Sequence, residues 1–335
     1  MTLADPLRFE PFPFPKIWGG EQLEPYLGAT FDARPLGEVW QLVDRDGCSS
    51  VVADGPYAGR RLSGLMLSER ADLLGKAEPS AEEHFPLLIK LLDAAMPLSI
   101  QVHPDFRAAE RLKGESKDEC WYVLDAVEDA EIYLGLREGV DATTFAAEVG
   151  GSKIVDLLQS YPVRKGQFVS VPAGTVHAIG GGVTLVEVQE NADTTYRIYD
   201  WERRGLDGRP RPLQVEEALQ SIDFDSSVRG PIDPEFVAVD EANEAAELWT
   251  TRGFSVELLR VNKGWARDTD GAPLVYIVVS GSGLLRNVDG DSEPVKVARG
   301  QTWLLPSAVG PHRFEECSGD LEVLAVRTCP SRTEG

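Results

Sequence analysis

The sequence predicts a mainly β protein with helical insertions, built as two related small barrels or sandwiches. Three observations carry that prediction. Short segments such as "EVWQLVD" and "FSVELLRV" alternate apolar and polar residues or run apolar between Gly and Pro turns. Helical spacing is confined to a few stretches. And "KGQFVSVPAGTVHAI" (165–179) is echoed by "RGQTWLLPSAVGPHRF" (299–314), with Gly166/Gly300 and Pro172/Pro306 at a constant offset of 134 residues. Each copy has Gly-Gln, a short apolar strand, a proline turn and a histidine, as expected of a duplicated β unit.

Taken in order, residues 1–60 read as turn-rich chain with short strands, because the prolines and glycines of "FPFPKIWGG" break any helix. From Ser63 to about Ala95 the apolar spacing becomes three and four. The segment "SAEEHFPLLIKLLDAA" then reads as a helix behind a Ser80 N-cap. A strand follows in "PLSIQVHPDF" (97–106), then a short helix over 106–113 and two strands in "DECWYVLDAVEDAEIYLGL". Residues 138–158 are predicted helical with a break near Gly150-Gly151, and 213–222 form one more helix. The acidic stretch from Asp233 to Glu247 is expected to be a linker or surface segment, with strands resuming at Phe254. The chain of 335 residues thus divides into an expected first domain over 1–235 and a second β domain over 236–335.

Composition narrows the functional classes. A net charge of −22 argues against nucleic acid, whose phosphates need a basic footprint. The same field repels a small anion, so any anionic ligand requires a local cluster of Arg or Lys. No apolar run reaches the roughly 18 residues of a membrane helix. The N-terminus has no basic region followed by an apolar stretch. Cys48, Cys120, Cys317 and Cys329 are scattered without paired spacing, so reduced thiols and a cytoplasmic location are expected.

The stretch from Pro97 carries the chemistry. Alternation places Ser99, Gln101 and His103 on one strand face, where lysines and glutamates would serve a solvent face equally well. Glu119 opens the next strand, and His177 follows the "VPAGT" turn. Two imidazoles, a carboxylate and an amide oxygen suit Zn²⁺, with Mn²⁺, Fe²⁺ and Co²⁺ also compatible. Taken singly, each residue has an ordinary structural use, and only their combination points to a metal. The second copy keeps only His312 and has no Gln-x-His, so one metal per chain is expected, in the first unit.

"FPKIWGG", "PLSIQVHPD", "KDECWYVLD" and "FVSVPAGTVHAIGGGVTLVEVQENADTTYRIYDWERR" together resemble the type I phosphomannose isomerases, most nearly their shorter bacterial form. The clear resemblance runs from about Phe14 to Arg203, with a looser fit beyond. It implies two cupin-like jelly rolls, helices packed around the first, and Gln101, His103, Glu119 and His177 as ligands of a zinc ion. It also implies Arg197 at the reaction centre, with Ser99, Lys117, Glu187 and Asp193 lining the pocket. The family activity is interconversion of mannose 6-phosphate and fructose 6-phosphate through an enediol. Glu187 and Lys117 lead as the proton-shuttling base, and Lys117, Arg197, Arg203 and Arg204 are the cations available to a phosphate. Two other classes stand beside it: an Fe(II)-dependent oxygenase and a non-catalytic phosphosugar-binding regulator. A monomer or weak homodimer is expected.

Overall fold

The computed structural model describes residues 2–289 and 293–329, and is mainly β. Its core is a strand series that occurs twice. In the first unit the strands are β1 (Leu87–Ala94), β2 (Ile100–Val102), β3 (Glu119–Ala126), β4 (Glu131–Leu136), β5 (Leu158–Pro162), β6 (Phe168–Val171), β7 (His177–Ile179) and β8 (Val183–Glu190). In the second they are β9 (Phe254–Val261), β10 (Trp265–Asp268), β11 (Leu274–Ser280), β12 (Ser282–Asn287), β13 (Val295–Ala298), β14 (Thr302–Leu305), β15 (Pro311–Glu315) and β16 (Leu321–Thr328).

The first unit contains the sheet order β6-β3-β8-β1 facing β5-β4-β7-β2, and the second contains β14-β11-β16-β9 facing β13-β12-β15-β10. Adding eight to each label converts one unit into the other, so the short repeat seen in the sequence is the visible part of a complete eight-strand duplication. The sheets are separate layers in a double-sheet, jelly-roll arrangement rather than closed barrels.

Alternation along the strands explains the stacking. On β3, Trp121 and Val123 face β4 and β7 inside the first unit, while Cys120, Tyr122 and Leu124 face the other way. That second face packs on Val256, Leu258, Val275 and Ile277 of the second unit. The two large sheets therefore lie back to back, with a small sheet outside each. Strand Leu7–Arg8 pairs with β14, strand Leu36–Leu42 pairs with β1, and Phe12–Gly20 pairs with Leu36–Leu42 and meets β1 at Gly19, so the N-terminal segment reaches both units.

Helices cover the outer face of the first small sheet. Phe106–Leu112 starts on an Asp105 cap that accepts from the Ala108 N–H, and Ala142–Glu148 starts on Asp141 in the same way. Ser152–Leu157 is a 3₁₀ turn after the Gly150-Gly151 break, and Val215–Ser221 is the last helix. Ile100, Val102, Phe145, Ile154 and Ala178 form the core between these helices and the sheet.

Two sequence expectations need correction. The helix expected up to Ala95 is realised only as Leu62–Ser68 and Arg70–Leu74; "LLIKLLDA" is instead β1, a central strand buried on both faces. Apolar runs of that length fit either structure, and Pro86, inside the segment read as one helix, lacks the N–H that a continuous helix needs there. The acidic linker between Asp233 and Glu247 is likewise partly strand, with Val237–Ala238 and Glu244–Thr250 extending the large sheet of the second unit.

Candidate active site

β2 and β7 are neighbours, and Gln101 stands opposite His177 in their register. On its other side β2 pairs with strand Tyr196–Tyr199, with Gln101 opposite Arg197. Ser99, Gln101 and His103 share one face of this ladder because alternate residues do, and Ile100 and Val102 are consumed by the helix-facing core. Glu119 enters from the first residue of β3, across from Val171. Segments far apart in sequence thus bring four polar side chains together inside the first unit.

His103, Glu119 and His177 are each about 1% exposed, and their ligating atoms lie within 4.8 Å of one another. The Nδ1 atoms of His103 and His177 stand 2.9 Å from the carbonyl oxygens of Thr194 and Thr175. Carbonyls only accept, so Nδ1 carries the proton and each Nε2 lone pair faces inward. His103 Nε2 is 3.3 Å from Glu119 Oε2, His177 Nε2 is 3.3 Å from Glu119 Oε1, and the Gln101 amide nitrogen is 3.3 Å from His177 Nε2. Turning that amide over presents its oxygen to the same point and lets its NH₂ donate to Ser99 Oγ.

Electrostatics match the geometry. Burial lowers the pKa of His177 to about 4 and lowers that of His103, where the Lys117 charge adds to the effect. Both rings are therefore neutral. Burial alone would raise Glu119, but the Lys117 charge 2.7 Å away outweighs it and holds the carboxyl well below its usual range. Neutral imidazoles and an ionised carboxylate are the protonation states that a metal requires.

The residues present fit such an ion. Donor atoms bound at about 2.0–2.2 Å to one tetrahedral centre stand about 3.4 Å apart, close to the spacings found. Both oxygens of Glu119 are buried; Oε2 faces the Lys117 Nζ at 2.7 Å, and Oε1 makes no hydrogen bond among the described residues, a costly arrangement that a second cation relieves. Trp121 packs its ring edge on to His177, with centroids 5.7 Å apart.

Beside this group lies a cavity of about 260 Å³, lined by the expected Ser99, Gln101, Lys117, Glu187, Asp193 and Arg197. It is also lined by Glu38, Trp40, Lys90 and Arg211, which sequence reasoning did not single out. Lys90 was hidden by the helical reading of its segment, although a lone cation inside "LLIKLLDA" is the signal that could have found it. Its Nζ donates to Glu187 Oε1 at 2.7 Å and to Gln189 Oε1 at 2.6 Å. Lys117 Nζ stands 2.7 Å from Glu119 Oε2 and 3.3 Å from His103 Nε2. Arg197 donates to Ser99 Oγ at 3.3 Å and to the Pro212 carbonyl at 2.9 Å. Arg203 is held by Asp200 and the Pro97 carbonyl, and Arg204 by the Gly208 carbonyl; neither lines the cavity.

The second unit lacks this set. Arg267 stands opposite His312 as Gln101 stands opposite His177, and Leu274 opens β11 where Glu119 opens β3. Among the described residues, the cluster of His103, Glu119 and His177 is the one group of histidine, cysteine or carboxylate side chains with metal-ligand spacing.

A duplicated double-sheet protein with one buried two-histidine, one-carboxylate centre opening to a charged cavity is the class these features define. Comparison with known proteins gives the family. Residues 12–145 match the model of "Phosphomannose isomerase type I, catalytic domain". The chain is 35% identical over 320 residues to the mannose-6-phosphate isomerase ManA of Bacillus subtilis, covering 93% of this chain and 96% of that one. It is 32% identical over 324 residues to the mannose-6-phosphate isomerase of Streptococcus mutans, covering 96% and 98%. A crystal structure of the mannose 6-phosphate isomerase from Bacillus subtilis superposes with a TM-score of 0.86 at 30% identity, over 96% of this chain and 99% of that one. The chain belongs to the mannose-6-phosphate isomerase family.

Proposed function

We propose that this chain interconverts mannose 6-phosphate and fructose 6-phosphate, using a zinc ion held by Gln101, His103, Glu119 and His177. The observation that carries the reading is the pair of imidazole Nε2 atoms, each 3.3 Å from an oxygen of the buried Glu119 carboxylate, next to the cavity. A divalent ion there supplies Lewis-acid stabilisation of the oxyanion that develops as a proton leaves the carbon beside the carbonyl. Arg197, a permanent cation, adds a second stabiliser at the same wall. Ser99 and Asp193 orient sugar hydroxyls. The residues separate as acid–base candidates. Lys117 is engaged by the Glu119 carboxylate at 2.7 Å. Glu187 gives Oε1 to Lys90 and keeps Oε2 for a proton, so it is the better base for moving hydrogen between C1 and C2.

In this reading residues 1–235 carry the chemistry and 236–335 support them. The enzyme works in the cytoplasm, as its scattered cysteines without paired spacing favour, as a monomer or weak homodimer. A coupled assay with mannose 6-phosphate, before and after chelation, tests the proposal. Turnover lost with chelator and restored by zinc is expected. Oxygen consumption would instead favour an Fe(II) oxygenase, and sugar binding without turnover a regulator; either outcome removes the isomerase.

A further inference from the structure

Building on that reading, we infer that Arg45 and Glu115, which lie outside the cavity lining, are positioning residues for the site: their ion pair latches the loop over 191–195, which in turn holds the His103 ring and places Asp193 at the cavity wall. The loop joins β8 to strand Tyr196–Tyr199, and residues 192–195 lie in no helix or strand, so side chains must fix its course. Arg45 comes from the short ladder of Asp44–Arg45 with Cys48–Ser49, and Glu115 from the chain between helix Phe106–Leu112 and β3. They meet fork on fork, Nη1 to Oε1 and Nη2 to Oε2, both at 2.9 Å. Each partner also grips the loop. Arg45 Nη1 donates to the Asn191 carbonyl at 2.9 Å, Glu115 Oε2 accepts from the Asp193 N–H at 3.0 Å, and the Glu115 N–H donates to Thr194 Oγ1 at 3.0 Å. Asn191 anchors the start of the loop, its Nδ2 donating to the carbonyls of Asp44 at 2.6 Å and Phe85 at 2.8 Å.

The inner side of the loop delivers two things. The Thr194 carbonyl stands 2.9 Å from His103 Nδ1, the contact that sets the tautomer and turns Nε2 towards the centre. A main-chain carbonyl can be aimed only by the path of its loop, and that path is what the ion pair holds. Asp193 is the second delivery: it lines the cavity, and its own N–H is fixed by Glu115. Gly114 lets the Glu115 segment come this close, since a Cβ there would stand 3.0 Å from both Thr194 Cγ2 and the Tyr196 hydroxyl. The Arg45 and Glu115 side chains are only 18% and 25% exposed, so water screens their fork less than it screens an ordinary surface pair. One ion pair outside the cavity thus governs a ligand ring and a substrate-facing carboxylate together.

The test compares the full chain with its Arg45→Gln, Arg45→Lys and Glu115→Gln variants. Zinc affinity is read by competition with a chelating dye, the His103 tautomer by nitrogen NMR of the metal-free chain, and KM and kcat for mannose 6-phosphate on the zinc-loaded enzyme. Arg45→Gln and Glu115→Gln should each raise the zinc dissociation constant about tenfold. They should also mix the second tautomer into His103 and raise KM more than they lower kcat. Arg45→Lys keeps the charge without the fork and should recover part of the loss. A pair that serves only stability would lower the melting temperature and leave zinc affinity, tautomer and KM of the folded protein unchanged; that result overturns the assignment. Should Arg45→Gln not fold, Arg45→Lys and Glu115→Gln decide by the same readouts. If the wild-type chain fails to isomerise mannose 6-phosphate, the functional reading falls, and the zinc and NMR comparisons still decide the latch.

Discussion

Glu190 offers a quantitative check on the electrostatics around the site. It is the last residue of β8, with Oε2 accepting from the Asp118 N–H at 3.1 Å and from Ser116 Oγ at 3.3 Å. Burial, followed by the neighbouring Asp118 charge, raises its pKa from 4.5 to about 7. The folded chain therefore holds this proton more tightly than the unfolded chain does. The resulting stabilisation is fully present below about pH 4.5 and is lost as pH rises through about 7. A rise of that size corresponds to about 3 kcal/mol between the two limits. Glu190→Gln keeps an oxygen for both donors and can never ionise. At a fixed metal concentration, denaturant unfolding of the two proteins should agree near about pH 4. Near about pH 8 the variant should be more stable by about 3 kcal/mol. A difference equal at both pH values, or none at the higher one, would refute the account of a carboxyl forced to ionise in a buried place.

Three further substitutions probe the site itself. His177→Ala should release the metal, read by elemental analysis after dialysis, because it removes one of two imidazole donors. Arg197→Ala should retain a full complement of metal while losing most turnover; loss of the ion from this variant would contradict the separate roles. Lys90→Met should destabilise the fold by about 3–5 kcal/mol in urea unfolding, since it strands the buried Glu187 carboxylate. Adding Glu187→Leu to it should restore much of that loss, and a Lys90→Met cost within about 1 kcal/mol would mean the pair is not effectively buried.

How legible the site was depended on how locally its signal is written. Gln101 and His103 could be read because a two-residue period dictates a shared strand face and polar residues there demand a use. Glu119 and His177 were candidates by residue type and by their places at a strand start and after a turn, and the resemblance joined them to the set, since nothing in spacing states that β3 and β7 meet β2. Lys90 was missed for a physical reason: a central strand covered on both faces has no alternation, so its apolar run looks equally helical. Arg211 was missed for another. It is one of four arginines between 203 and 211, and only its place on the cavity wall tells it apart. The duplication was visible at the Gly-Gln and proline turns, where backbone geometry restricts residue choice. It was invisible along the strands, where any apolar residue fills the layer.

That duplication also isolates what makes the centre. His312 keeps the pose of His177: its Nδ1 is 2.9 Å from the Gly310 carbonyl two residues back, and burial lowers its pKa to about 4. Each ring meets an aromatic edge from the equivalent position on the neighbouring strand, Trp121 in the first unit and Tyr276 in the second. The difference lies in what faces Nε2. Tyr276 brings a hydroxyl to 2.7 Å and takes the lone pair that His177 keeps for a ligand. Arg267 replaces the amide of Gln101 with a fixed cation, neutralised by Glu257 at 2.6 Å, and Leu274 replaces the carboxylate of Glu119. The second unit is thus closed by its own hydroxyl and guanidinium, whereas the first turns two imidazole nitrogens and a carboxylate towards one point, with Gln101 and Lys117 beside them. Identical strand order produces both outcomes, so the chemistry resides in a few register positions at the strand ends, and the framework only holds them at ligand spacing.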